Sequence, residues 1–381
     1  MTADLVVFGE DWGSHPSSTQ HLVGRLARDR RVLWVNSIGL RRPKLNAQDL
    51  RRIATKLRAM AGRGRAAAPA PAARRDAHAD GPGPARVLAP FAIPWPGSTL
   101  AEAANRLLIG RQVRAAMAET GISRPILWAS LPSAVSVVGA LGERALVYYC
   151  GDDFGALTGV DHGPVLEMEA RLAAKADLIV VVSEALAARF PGRNVLLLPH
   201  GVDGALFSTP VPRPLDLPPG PVAGFYGSIS DWLDIPMLAA AARAMPDWSF
   251  VFIGPVRTDI STLETIPNVH FLGPRPHDVL PAYAQHWDVS LIPFLDNPQI
   301  RACNPLKLRE YLASGTPIAA TRFPALVPYE AHVACIDPGG DLAMAIREAA
   351  SDPRAAERRA SVSTEDWDAR AAVLSAALAK L

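Results

Sequence analysis

The chain has 381 residues, 49% of them hydrophobic and 20% charged, with a formal net charge of +2. That balance excludes a disordered chain and gives nucleic-acid binding no help from overall charge, and the length exceeds what one core usually supports, so two domains are expected. The three cysteines, Cys150, Cys303 and Cys335, are far apart and in no metal-like spacing, which points to reduced thiols in a cytoplasmic compartment and to no metal site.

Leu5-Val6-Val7-Phe8-Gly9 reads as a first buried strand, entered without a signal-like leader, and no run of the chain approaches the roughly 18 apolar residues of a membrane span. The loop Glu10 to Pro16 follows, and Ser17-Ser18-Thr19 caps a helix from about Gln20 to Arg28. A dinucleotide-binding domain would show Gly-x-Gly-x-x-Gly at this loop, and this chain does not. Arg31 to Val35 is a second strand. The next segment carries Arg41, Arg42, Lys44, Arg51, Arg52, Lys56 and Arg58 against Asp49, with Leu50, Ile53, Leu57 and Met60 at helical spacing. It reads as an amphipathic helix with a cationic flank, either docked on an anionic membrane surface through residues 41–60 or packed on its own domain. Residues 62–85 are Ala, Arg, Gly and Pro, the composition of a flexible insertion.

Strands are expected over Arg86 to Ala92, Pro125 to Trp128 and Ala145 to Cys150, with a helix capped by Ser98 and stopped by Gly121 between the first two. Asp152 and Asp153 stand at the carboxyl end of the third, where a pair of carboxylates suits general-base chemistry; closing a loop or capping a helix is the structural alternative. Asp177 to Ser183 is a continuous apolar strand of the kind buried on both faces, and Asn194 to Pro199 ends the first half. The turn His200-Gly201-Val202-Asp203 closes the domain, and the Pro-rich run from Pro210 to Pro221 is a stiff linker.

The second half repeats the alternation. Val222 to Ser228 is a strand ending in the small residues Gly227 and Ser228, where backbone can approach a phosphate. Strands at Phe250 to Gly254 and Val269 to Gly273 follow, then Arg275-Pro276, a helix from about His277 to His286 and the short strand Leu291 to Phe294. Asn304 is the expected N-cap of a helix with Pro305 at its first position and Gly315 as its stop before Pro317. Lys307 and Glu310 then share one face, a cation for phosphate and a carboxylate for paired sugar hydroxyls; a surface ion pair on an ordinary helix is the alternative.

Pro305, Lys307, Glu310, Tyr311, Leu312, Ala313, Gly315 and Pro317 resemble the donor-binding segment of glycosyltransferases with the GT-B fold, close to family 4 and its teichuronic-acid-type members. The resemblance implies two Rossmann-like α/β domains facing across a crevice: an acceptor-side domain over 1–208, a nucleotide-sugar domain over 215–358, and a terminal helix within 360–381 that packs back on the first. It implies transfer of a sugar, hexosyl or glycuronosyl, from a UDP- or GDP-linked donor to a saccharide or lipid-linked saccharide in cell-surface polysaccharide synthesis, without metal or other cofactor and without nucleic acid. The enzyme is then cytoplasmic, or peripheral on the inner face of the plasma membrane. By the same resemblance Gly227, Ser228, Arg275, Pro276, Asn304, Leu306, Lys307 and Glu310 bind the donor, with Lys307 on the diphosphate and Glu310 on the ribose. Gly9, Asp11, Trp12 and His15 face the acceptor, and Asp152, with Asp153 beside it, matches the catalytic base of some inverting members.

The chain departs from the family at two places. Eight residues before Glu310 it has Ala302 in place of a second Glu, and the turn after Trp128 carries Ser130 where many retaining members have His. The sugar identity and the stereochemical course stay open. A nucleotide-sugar epimerase of the same fold and a non-catalytic nucleotide- or glycan-binding paralogue are the alternative functions.

Overall fold

Near-continuous apolar runs of four to six residues alternate with capped helical segments along the chain, and the computed structural model places those runs in two parallel sheets covered by helices. It describes residues 2–14, 17–38, 83–93, 95, 97–157 and 160–381. The basic segment expected at 41–60, most of the 62–85 insertion and His15 lie outside the described residues.

Two compact units divide the chain: Met1–Val180, Phe190–Leu196 and Ser375–Leu381 form the first, Val181–Arg189 and Leu197–Leu374 the second. The first sheet contains β1 (Leu5–Phe8), β2 (Val32–Val35), β3 (Arg86–Leu88), β4 (Ile126–Ala129), β5 (Ala145–Cys150), β6 (Leu178–Val181) and β7 (Val195–Leu197), in the order β3-β2-β1-β4-β5-β6-β7. β1 pairs in parallel with β2 and β4, so Leu5 lies opposite both Val32 and Ile126. The second sheet contains β8 (Val222–Tyr226), β9 (Ser249–Ile253), β10 (Val269–Phe271), β11 (Val289–Ile292), β12 (Ile318–Thr321) and β13 (Ala334–Ile336), in the order β10-β9-β8-β11-β12-β13. These are Rossmann-like orders, and each reverses direction once, between β1 and β4 and between β8 and β11. In such sheets ligands bind beyond the strand ends at the reversal.

Local signals set most helix ends. Ser17 accepts from the Gln20 N–H at 3.2 Å and starts Ser18–Leu26, slightly earlier than expected. Ser98 accepts from Ala101 N–H at 3.2 Å, and the helix it caps, Thr99–Thr120, ends on Gly121 in the left-handed region at φ 69°. Strand β3 is shorter than the sequence suggests, ending at Leu88, and the helix expected over 277–286 is a short 3-10 turn, His277–Val279, followed by Leu280–Ala284. Pro281 has no N–H to give the His277 carbonyl, which accepts instead from the Leu280 N–H in 3-10 fashion, and the α-helix starts anew at Leu280.

The helix Leu306–Ser314 has its N-cap at Pro305, one residue later than expected. Asn304 does not cap it, because its side chain is already committed: Nδ2 donates to Val182 O at 2.8 Å and Oδ1 accepts from Arg309. At the other end Gly315 turns at φ 80°, and its carbonyl and that of Ser314 accept from Arg358 Nε at 3.0 Å and Arg359 Nη2 at 2.8 Å. Two cations thus satisfy the orphan carbonyls at the negative end of the helix dipole. A Cβ on Gly315 would lie 2.8 Å from Arg359 Cζ.

Gly315→Ala is therefore expected to destabilise the protein by about 1–3 kcal/mol, from left-handed backbone strain and displacement of Arg359. Its thermal midpoint should fall by several degrees; an unchanged midpoint would show that the turn tolerates a side chain.

Candidate functional site

The second sheet reverses beside β8, whose end leads into Gly227 and Ser228, and beside β11, whose continuation leads to the helix Leu306–Ser314. Close backbone packing shapes the first of these turns. Gly227 (φ 131°) donates its N–H to Ile253 O at 2.8 Å, and the neighbouring Gly254 (φ 144°) sits so near that a Cβ on it would fall on the Gly227 carbonyl. Ser228 is half-buried, and its hydroxyl has no hydrogen-bond partner among the described residues.

Lys307 reaches back from the first turn of the helix to this loop. A Cβ on Gly227 would lie 3.1 Å from Lys307 Cε and 3.3 Å from Nζ. The ammonium is 5.2 Å from the Phe225 ring centroid and 5.3 Å from that of Phe294. Among the described residues no carboxylate comes within ion-pair distance of it. Burial holds the Lys307 amine below its ordinary value, with Glu310 pulling the other way. A desolvated cation over two aromatic faces, next to the leading N–H groups of a helix and an open hydroxyl, is an anion site in its chemistry.

Glu310, one turn on, is 7% exposed and held at both oxygens. Tyr226 Oη donates to Oε2 at 2.6 Å, and His277 Nε2 lies 2.8 Å from Oε1. Burial alone would raise the carboxyl; the His277 and Tyr226 contacts and the Lys307 charge outweigh it and hold Glu310 below its ordinary value. Tyr226 is itself fixed by aromatic contacts with Tyr311 at 4.9 Å and Trp287 at 5.8 Å, and its N–H donates to Tyr311 Oη at 3.1 Å. Of the other residues expected to bind the donor, Leu306 opens the helix and is half-buried, while Asn304 serves the packing described above. Arg275 is tied to Asp216 at 2.9 Å and to Tyr283 Oη at 3.2 Å, and Pro276 is exposed beside it. Arg275 therefore anchors the turn that carries His277. Arg301 is similarly paired, with Asp296 at 2.6 Å.

In the first unit, Gly9 packs so closely on Trp34 that a Cβ would lie 2.5 Å from Trp34 Cζ2. Asp11 Oδ1 accepts from Ser37 N and Oγ at 3.2 and 3.1 Å, and Trp12 meets Trp34 edge-on at 4.7 Å. These residues build the loop after β1. Ser130 is buried, accepting from Trp128 Nε1 at 2.8 Å and lying 3.1 Å from Thr19 Oγ1. At the end of β5, Asp153 Oδ1 accepts from Gly155 N–H at 2.9 Å and closes the loop. The Asp152 carboxylate is different: no hydrogen-bond donor meets it among the described residues. Its carboxyl is raised above the ordinary value, first by desolvation and then by the Glu10 and Asp153 carboxylates. Because the residue as a whole is exposed, repulsion by Glu10 and Asp153 is the more durable cause. Glu10, Tyr226 and His277 were not singled out by the sequence, since Asp152 and Glu310, the carboxylates they act on, lie far from them along the chain.

The fold is the GT-B arrangement of two Rossmann-like units, and the second of them gathers a cation, the leading N–H groups of a helix and a held carboxylate. Within the second unit, residues 220–352 match the family model described as glycosyl transferases group 1. The chain is 31% identical over 224 residues to the putative teichuronic acid biosynthesis glycosyltransferase TuaH of Bacillus subtilis (strain 168). That match takes in 53% of this chain and 56% of TuaH, about half of each. Among solved structures, HepE of Anabaena, crystallised with UDP and glucose, superposes with a TM-score of 0.68 at 16% identity, covering 100% of both chains. Sucrose-phosphate synthase from Thermosynechococcus elongatus gives 0.69 at 18% identity, over 99% of this chain and 98% of that one. At those identities the likeness establishes the fold.

A half-buried cation without an ion-pair partner among the described residues adds little to folding, so Lys307→Met, which places a thioether over the same two rings, should leave the thermal midpoint unchanged or raise it. A clear fall in the midpoint would mean that Lys307 serves the fold.

Proposed function

We propose that the chain transfers a sugar from a nucleoside-diphosphate donor to a saccharide acceptor. One observation carries the reading: Lys307, without a carboxylate partner among the described residues and desolvated at a helix start, lies against Gly227 beside the Glu310 carboxylate, which Tyr226 and His277 hold at one position on each oxygen. In this reading the helix N–H groups, Lys307 and Ser228 take the diphosphate, and Glu310 accepts from the ribose hydroxyls. The acceptor oxygen attacks the anomeric carbon, the bond from that carbon to the diphosphate oxygen breaks, and Lys307 with the helix amides stabilises the departing charge, so no metal is invoked. Asp152 takes the acceptor proton, as a carboxylate raised toward working pH is suited to do. The UDP held in HepE makes a UDP-sugar the first donor to test, and the likeness to TuaH favours a cell-surface polysaccharide, free or lipid-linked, as acceptor. The wide spacing of the three cysteines fits a cytoplasmic enzyme, and the basic residues at 41–60 would serve a peripheral contact with anionic headgroups. No helix among the described residues is long and apolar enough to cross a membrane.

Thermal shifts with UDP, GDP, ADP and NAD test the donor. Ligand at about a hundred times its dissociation constant adds roughly 2.7 kcal/mol, a shift of several degrees. Glu310→Ala should weaken binding of the responding nucleotide about tenfold or more, whereas Asp152→Asn should retain binding and abolish transfer; equal binding losses would sink both roles. Glu10→Gln removes a negative neighbour, favours ionised Asp152 and should move the acid limb of the kcat profile to lower pH. An acid limb that stays in place or moves up would exclude Asp152 as the titrating base.

A further inference from the structure

The helix Leu306–Ser314 sets a cation and a carboxylate one turn apart inside a desolvated site, yet the two do not pair. Glu310 takes its partner from elsewhere: His277 Nε2 sits 2.8 Å from Oε1, with the His277 side chain 15% and that of Glu310 10% exposed. His277 is not placed by chance. The Phe207 ring meets its imidazole edge-on at 5.6 Å, and the turn carrying it is pinned by Arg275, whose guanidinium holds Asp216 at 2.9 Å while Tyr283 Oη donates to the other Asp216 oxygen at 2.9 Å. Tyr226 occupies the second oxygen of Glu310 at 2.6 Å. A carboxylate offers about four acceptor sites, so these two donors fix its plane and leave the outward lone pairs available.

We infer that His277 is a positioning residue of the donor site: by its hydrogen bond it holds the Glu310 carboxylate in one orientation, so that Lys307 is left to the diphosphate. This rests on the assignment of Glu310 to the ribose hydroxyls. Without His277 the buried carboxylate either takes up a proton or draws Lys307 to itself, and in both cases it accepts less well from a diol. The recognition lost is specific to the sugar hydroxyls of the nucleotide.

The experiment compares the full chain with His277→Phe, which keeps the packing on Phe207 but has no donor, and His277→Gln, whose amide can donate to the same oxygen. Binding of UDP and of its 2′,3′-dideoxy analogue is measured calorimetrically, with the corresponding GDP pair if GDP is the nucleotide that binds. The wild type should prefer the ribose form by about tenfold or more; His277→Phe should bring the two affinities to within about twofold, and His277→Gln should restore most of the preference. A preference unchanged in His277→Phe, or an equal loss for both nucleotides, overturns the inference and leaves His277 a packing residue. A wild type that binds both forms equally overturns the Glu310 assignment itself, and the role of His277 with it.

Discussion

The site depends on keeping two opposite charges, Lys307 and Glu310, apart although they share one face of one helix. In a poorly solvated pocket an ion pair between them would satisfy both and leave neither for a ligand. Separate partners prevent it. Lys307 rests over Phe225 and Phe294, which stabilise a cation without occupying its N–H donors, and Glu310 is held by Tyr226 and His277. In the proposed role the two charges meet a substrate that is anionic at one end and a polyol at the other, which is what a nucleoside diphosphate presents.

The opposite side of the same helix is built for rigidity. Arg309 donates to Glu365 at 2.7 Å, Tyr329 Oη reaches the other Glu365 oxygen at 2.6 Å, and Arg370 adds a contact at 2.8 Å. Arg358, 1% exposed, and Arg359 close the C-terminal carbonyls. A helix of nine residues is marginal alone; here its C-terminal end and its far face are tied to the segment from Asp352 to Arg370. The residues that resemble a donor-binding segment are thus half of a device whose other half lies some fifty residues later in the chain. The first unit holds a contrasting arrangement, in which Asp152 sits among Glu10 and Asp153 with no cation paired to it among the described residues, a setting that favours proton uptake.

The sequence by itself determined the alternation of strand and helix, the caps at Ser17 and Ser98, the stops at Gly121 and Gly315, and the placing of Lys307 and Glu310 one turn apart. Each of these depends on residues within a few positions of one another, through side-chain periodicity, cap hydrogen bonds and backbone preference. Only the tertiary structure decided the rest. Asn304 looked like a cap and is instead spent on Val182, 122 residues away; Arg275 looked available to a ligand and is bound to Asp216, 59 away. Tyr226 and His277 join Glu310 from 84 and 33 residues away. Parallel strands stack their carboxyl ends side by side whatever the intervening chain length, so the partners of a buried charge are chosen by sheet order and register, which no local spacing encodes.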